Sequence, residues 1–221
     1  MIPLKDRVSV ILDACAGKRV LHLGCTNSPY TAQSLEGDML LHSRLSEVAA
    51  VVHGFDNDAE SLDLMRKAGY DNLHIADLEK LSEIAFKEDI EVIVAGEIIE
   101  HLSNPGLFLE GVKTLMGPQT TLLITTINAY SGLRYIQYVL RGRGGVVEPV
   151  HPDHVAYYSY STLRLLLQRY ELDVDDFMFY DIGPEHRPYV QWYYWWLNAL
   201  CVRISKQSSD GVIAFCRIKG E

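Results

Sequence analysis

The sequence predicts a single α/β domain: a Rossmann-like seven-stranded sheet with helices on both faces and an antiparallel hairpin at its edge. Three observations lead there. Through the first 127 residues short apolar runs alternate with amphipathic stretches, so strands are joined by helices, and such strands pair in parallel through right-handed crossovers. Two later strand-like runs, 174–180 and 211–219, are separated by a Trp-rich insertion rather than a crossover unit, which suits an antiparallel pair. No repeat, low-complexity tract or long linker marks a second domain, and 48% hydrophobic content over 221 residues supplies one sizeable core.

The elements follow in order. Residues 4–16 read as a helix and 19–23 as the first strand. A helix over 39–49 leads to a strand over 50–55, then a helix over 58–68 ends at Gly69, a residue suited to a C-cap. Residues 72–75 form a third strand and 81–86 a short helix. The run 90–95 is a buried fourth strand, and a helix starting near Glu97 would put Glu97, Glu100 and His101 at i, i+3 and i+4 on one face. A helix over 105–115 stops at Gly117-Pro118, and the β-branched run 121–127 is the fifth strand. Residues 130–140 form an amphipathic helix before the Gly- and Arg-rich stretch 141–145, and 189–202 a Trp-rich helix. The regions of about 130–160 and 184–210 read as lid-like insertions in the one domain, 1–221.

Composition narrows the function. Twenty Lys and Arg against 29 Asp and Glu leave a formal charge of −9, which argues against a broad nucleic-acid surface, because such affinity comes largely from cations that neutralise phosphates. A small-molecule substrate fits better. Cys15, Cys25, Cys201 and Cys216 show neither metal-type spacing nor disulfide-scaffold density. With no apolar run long enough to cross a bilayer and no signal-peptide pattern, the expectation is a cytoplasmic protein.

The strand ends carry the polar signals. His22-Leu23-Gly24-Cys25-Thr26-Asn27-Ser28 is a strand entering a turn with one glycine, where backbone approaches a ligand in doubly wound folds. Asp56, ending the second strand before Asn57 and Asp58, can accept both hydroxyl hydrogens of a ribose, while Asp58 reads more simply as a helix cap. Asp77, beside Leu78, can accept a hydrogen bond from an adenine amino group.

At these positions the chain resembles class I S-adenosylmethionine-dependent methyltransferases: residues 21–24 match the glycine loop, Phe55-Asp56 the ribose-binding acid and Ala76-Asp77 the adenine-side acid. The departure is Cys25-Thr26-Asn27-Ser28, where that family carries more glycines. The resemblance implies S-adenosylmethionine contacts at His22, Gly24, Cys25, Thr26, Asp56, Asn57, Asp77, Leu78, Gly96 and Glu97. It continues through Glu97-Ile98-Ile99-Glu100-His101 and Asn104-Pro105, which look like the corresponding segment of ubiquinone-pathway and small-RNA 3′-terminal O-methyltransferases. Those relatives hold magnesium or a similar divalent ion there. Carried over, Glu97, Glu100, His101 and His154 become catalytic residues and ligands for Mg or Mn, with His151 as the alternate to His154. A metal-free arrangement, the Glu capping and the His acting as base, stands beside it. O-methylation of a small-molecule or glycan-intermediate hydroxyl follows from the resemblance. A non-catalytic cofactor- or partner-binding relative is the alternative, and a nicotinamide-dependent enzyme is disfavoured because neither GxGxxG nor Tyr-x-x-x-Lys occurs. The Trp-rich segment is a candidate core or homodimer contact, or a substrate wall.

Overall fold

The computed structural model describes residues 2–37, 39–141, 153–181 and 191–220. Its sheet has eight strands where the sequence predicts seven. In chain order the elements are β1 (Leu4–Lys5), α1 (Arg7–Cys15), β2 (Arg19–Leu23), α2 (Thr31–Glu36), α3 (Leu41–Val48), β3 (Val51–Asp56), α4 (Ala59–Lys67) and β4 (Leu73–Ile75). They continue with β5 (Val92–Gly96), α5 (Pro105–Leu115), β6 (Thr121–Ile127), α6 (Gly132–Arg141), α7 (Tyr160–Arg169), β7 (Leu172–Tyr180), α8 (Trp192–Ile204) and β8 (Gly211–Ile218). The spatial order is β1-β7-β8-β6-β5-β2-β3-β4. All neighbours are parallel except β8, which runs antiparallel to both β6 and β7.

The extra strand is the start of the expected first helix. Leu4 and Lys5 pair with Phe179 and Tyr180, and the helix begins only after Asp6, whose carboxylate accepts the Ser9 amide. The antiparallel pair is therefore not at the edge, because β1 covers β7 and β8 is inserted beside β6. Three other local expectations change. The helix foreseen over 81–86 shrinks to a single 3₁₀ turn, Leu81–Glu83, pinned beneath Gly111 of α5, where an added Cβ would lie 2.7 Å from that of Leu81. Neither α2 nor α7 is foreseen. The second supplies the crossover from β6 to β7 and starts with a capping box between Ser159 and Thr162. No helix starts near Glu97, as described below.

Alternation along the central strands divides the core. Ile93 and Ala95 join Leu21, Leu23 and Phe108 on one face of the sheet, whereas Val92 and Val94 join Val20, Ile11 and Leu45 on the face covered by α1 and α3. After β4 the chain returns to the opposite side of β2 to form β5, so the order reverses between β2 and β5. Open α/β sheets bind ligands beyond the carboxyl ends at such a switch point.

His22 of β2 and His42 of α3 are buried against each other, their Nδ1 atoms 3.3 Å apart and their rings stacked, so one nitrogen donates and the other accepts. Burial lowers both pKa values, that of His42 to about 4. A depressed folded pKa contributes stability that is present above the unfolded value near 6.5 and is lost as pH falls through 4. The expected loss is about 3 kcal/mol across that window from His42 alone. Thermal melts from pH 7 to 4 check it: His42→Asn is expected to flatten the acid limb, and an unchanged limb refutes the assignment.

Candidate active site

The glycine loop at the end of β2 is built around steric exclusion. Gly24 has φ +69°, and a Cβ there would lie 2.1 Å from Ile98 Cδ1, so only glycine lets the turn after β5 close over the turn after β2. The next two side chains differ in fate. Cys25 buries its thiol, whose pKa burial pushes up, in the small core formed with Leu62 and Met65. Thr26 faces Asp56, whose Oδ2 accepts from both its amide and its hydroxyl at 2.9 Å, while Oδ1 accepts the Asp58 amide at 3.1 Å.

These bonds engage the loop's amides within the protein. The amides of Gly24 and Cys25 donate to Phe55 O at 2.8 and 3.2 Å, and that of Thr26 is taken by Asp56. The polar Cys25-Thr26-Asn27-Ser28 sequence instead ties the ends of β2 and β3 together. Asn57 is exposed beside Asp56. Asp77 is exposed and pairs with Lys80 at 3.0 Å, and its Oδ1 accepts the Glu79 amide; Leu78 is buried behind it. Of the candidate cofactor residues, His22 is turned away into its contact with His42. Asp58 caps α4 by accepting the Glu60 and Ser61 amides.

After β5 the predicted helix gives way to a turn. Glu97 occupies the left-handed region at φ +55°, its amide donating to Thr125 O at 2.9 Å, and regular helix begins only at Pro105, capped by Asn104. Glu97, Glu100 and His101 therefore do not share a helical face. Such backbone strain in a non-glycine residue costs on the order of 1–3 kcal/mol and persists only where surrounding contacts impose it. Here they do. The Tyr180 hydroxyl donates to Glu97 Oε1 at 2.5 Å from the end of β7, and the Arg7 guanidinium lies 5.9 Å from the Tyr180 ring centre and within 3.5 Å of the Thr125 hydroxyl.

A second constellation forms on the other side of the turn. Glu100 is fully buried, and its Oε2 accepts from the Thr126 hydroxyl at 2.9 Å. Its Oε1 is buried and has no hydrogen-bond partner among the described residues. Burial, together with the Glu97 carboxylate, raises its pKa to about 7. The chain after β6 folds back over it: the Val155 and Ala156 amides donate to Glu100 O at 2.9 and 3.3 Å, which carries His154 to within 4.6 Å of the His101 ring, centre to centre, nearly perpendicular. Ligand atoms of Glu100, His101 and His154 all lie within 4.8 Å of one another.

Three of the four residues predicted as ligands thus come together, while Glu97 bonds to Tyr180 and its carboxylate lies near enough to Glu100 to raise its pKa. His151 lies outside the described residues. An orphaned carboxylate oxygen beside two imidazoles is a donor set of the kind a divalent cation accepts. Arg7, Tyr180 and Thr126 are not legible as site residues in the sequence, because each reaches the site from a distant strand or helix.

The Methyltransferase domain family matches residues 2–176. Ubiquinone biosynthesis O-methyltransferase of Glaesserella parasuis is 28% identical over 120 residues, 51% of this chain and 46% of that protein. The Bradyrhizobium diazoefficiens protein of the same name is 26% identical over 159 residues, 66% of this chain and 58% of that one. The chain thus spans about half the length of the curated relatives it matches. Among solved structures, a SAM-dependent methyltransferase from Archaeoglobus fulgidus superposes with TM-score 0.62 at 13% identity, covering 96% of this chain and 91% of that one. Magnesium protoporphyrin IX methyltransferase from Synechocystis with bound SAH gives 0.59 at 12%, covering 96% and 82%; at such identity both show the fold. The chain belongs to the methyltransferase domain family and has the fold of S-adenosylmethionine-dependent methyltransferases.

Proposed function

We propose that the protein methylates a hydroxyl oxygen of a small-molecule acceptor, and that Glu100, His101 and His154 hold a divalent metal beside it. The observation that carries the reading is the clustering of the buried Glu100 carboxylate, one oxygen of which has no hydrogen-bond partner among the described residues, with two imidazoles, supported by relatives named as O-methyltransferases. Asp56 keeps acceptor capacity for ribose hydroxyls beyond the bonds from Thr26 and Asp58, since a carboxylate offers about four lone-pair sites. Asp77 stands at the next strand end for the adenine, and Gly96 and Glu97 border the switch point where the sulfonium would sit. A bound Mg or Mn supplies the positive charge that lowers a hydroxyl pKa and fixes its oxygen. The acceptor oxygen forms its bond to carbon as the carbon–sulfur bond breaks, and the hydroxyl proton leaves to His101 or Glu100. Alignment of the two reactants by the Gly24 and Glu97 turns contributes further.

The test is methyl transfer from S-adenosylmethionine to a panel of small phenols and catechols, before and after chelation, with elemental analysis of the purified protein. Transfer that falls at least 100-fold on chelation and returns with Mg or Mn is the expected result. Full activity in protein shown to be metal-free refutes the metal, and transfer only to nitrogen or carbon acceptors refutes the hydroxyl.

A further inference from the structure

We propose that the outward face of α8 is a docking surface for an anionic lipid bilayer. One side of this helix is fully accounted for: Tyr194 packs on Leu133 and Ile136 of α6, Asn198 donates to both Asp181 carboxylate oxygens, and an added side chain at Gly132 would meet Cys201. The other side presents Trp192, Tyr193, Trp196, Leu197, Leu200 and Ile204 to solvent, Trp192, Trp196 and Ile204 being 73%, 69% and 79% exposed. These positions recur at helical spacing, so they form one stripe about 20 Å long. A contiguous apolar face of this kind marks an interaction surface, and large aromatics beside aliphatics suit the boundary between headgroups and acyl chains.

Charge selects the occupant. The whole chain carries −9, yet residues 191–207 contain no Asp or Glu, and Arg203 and Lys206 stand exposed at the carboxyl-terminal end of the stripe. An anionic bilayer would attract this edge and repel the remainder, orienting the molecule with α8 flat in the interface. A second copy docking by two-fold symmetry would instead place the same cations in the same interface. With 13 residues the helix is too short to span, and no helix among the described residues is long and apolar enough to cross a membrane. The inference is independent of the acceptor and the metal.

All three tryptophans, Trp192, Trp195 and Trp196, lie in α8, so tryptophan emission under selective excitation reports on this helix alone. The full chain is mixed with vesicles of phosphatidylcholine alone or with added phosphatidylglycerol. Co-sedimentation and a blue shift of tryptophan emission with the anionic vesicles are expected. Arg203→Gln/Lys206→Gln is expected to weaken that binding about 30-fold, from two cations lost. Leu200→Ser/Ile204→Ser, which keeps every tryptophan, is expected to abolish the shift while circular dichroism stays native. Absence of both sedimentation and shift with anionic vesicles overturns the proposal. So does a concentration-dependent dimer whose emission vesicles do not change, which would assign the face to a second copy.

Discussion

Glu100→Gln is expected to weaken Mg or Mn binding at least 100-fold and to lower methyl transfer by a similar factor, while S-adenosylmethionine affinity stays within about twofold. The substitution is nearly isosteric and keeps an oxygen to accept the Thr126 hydroxyl, so its effect is confined to the loss of charge at an oxygen buried beside His101 and His154. A 100-fold loss corresponds to about 2.7 kcal/mol, well within what removing a charged ligand or proton acceptor costs. The stability of the metal-free protein should move the other way. With its folded pKa raised to about 7, Glu100 favours the native state below the unfolded carboxyl range, and that contribution is lost as pH rises through 7. At pH 8 the variant is therefore expected to melt higher than the native metal-free protein. Calorimetry with Mn, initial rates and thermal melts together decide the case: unchanged metal affinity with unchanged rate would return Glu100 to a structural role.

Gly24→Ala is expected to destabilise the fold by about 2–5 kcal/mol and to abolish cofactor binding in the fraction that folds. Two costs combine. An alanine at φ +69° costs about 1–2 kcal/mol, and its methyl would overlap Ile98, forcing a shift that typically costs 1–3 kcal/mol in a packed site. They separate by design, because Ile98→Ala in the same chain removes the overlap and leaves the backbone strain. Partial recovery of stability in the double variant is expected from denaturant melts. Recovery to the native value would show that backbone conformation contributes nothing, and no recovery would show that Ile98 is not the obstacle.

The legible parts of the sequence were those with local causes. Alternating periodicity placed β2, β3, β5 and β6 within a residue or two, and Asp58, Gly69 and Pro105 marked helix boundaries through capping chemistry that acts over a few residues. Ser159 and Thr162 carried the same kind of signal for α7, which sequence reading passed over because the preceding stretch offered no apolar run. The pairing of Leu4 and Lys5 with Phe179 and Tyr180 could not be read locally, since it depends on a strand more than 170 residues away.

The site divides along the same line. The candidates for acid, base and ligand chemistry, Glu97, Glu100, His101, His154, Asp56 and Asp77, were legible in the sequence, through side-chain chemistry and strand periodicity, which are local, and through the resemblance to methyltransferases. How those groups combine was decided by tertiary structure alone. The closed space between Gly24 and Ile98 and the Tyr180 bond to Glu97 favour a turn where local spacing suggested a helix, so the two acids take different partners. Glu97 goes to Tyr180 at the switch point. Glu100 goes to the two histidines, where a returning loop packs over it and one of its oxygens is left without a hydrogen-bond partner among the described residues.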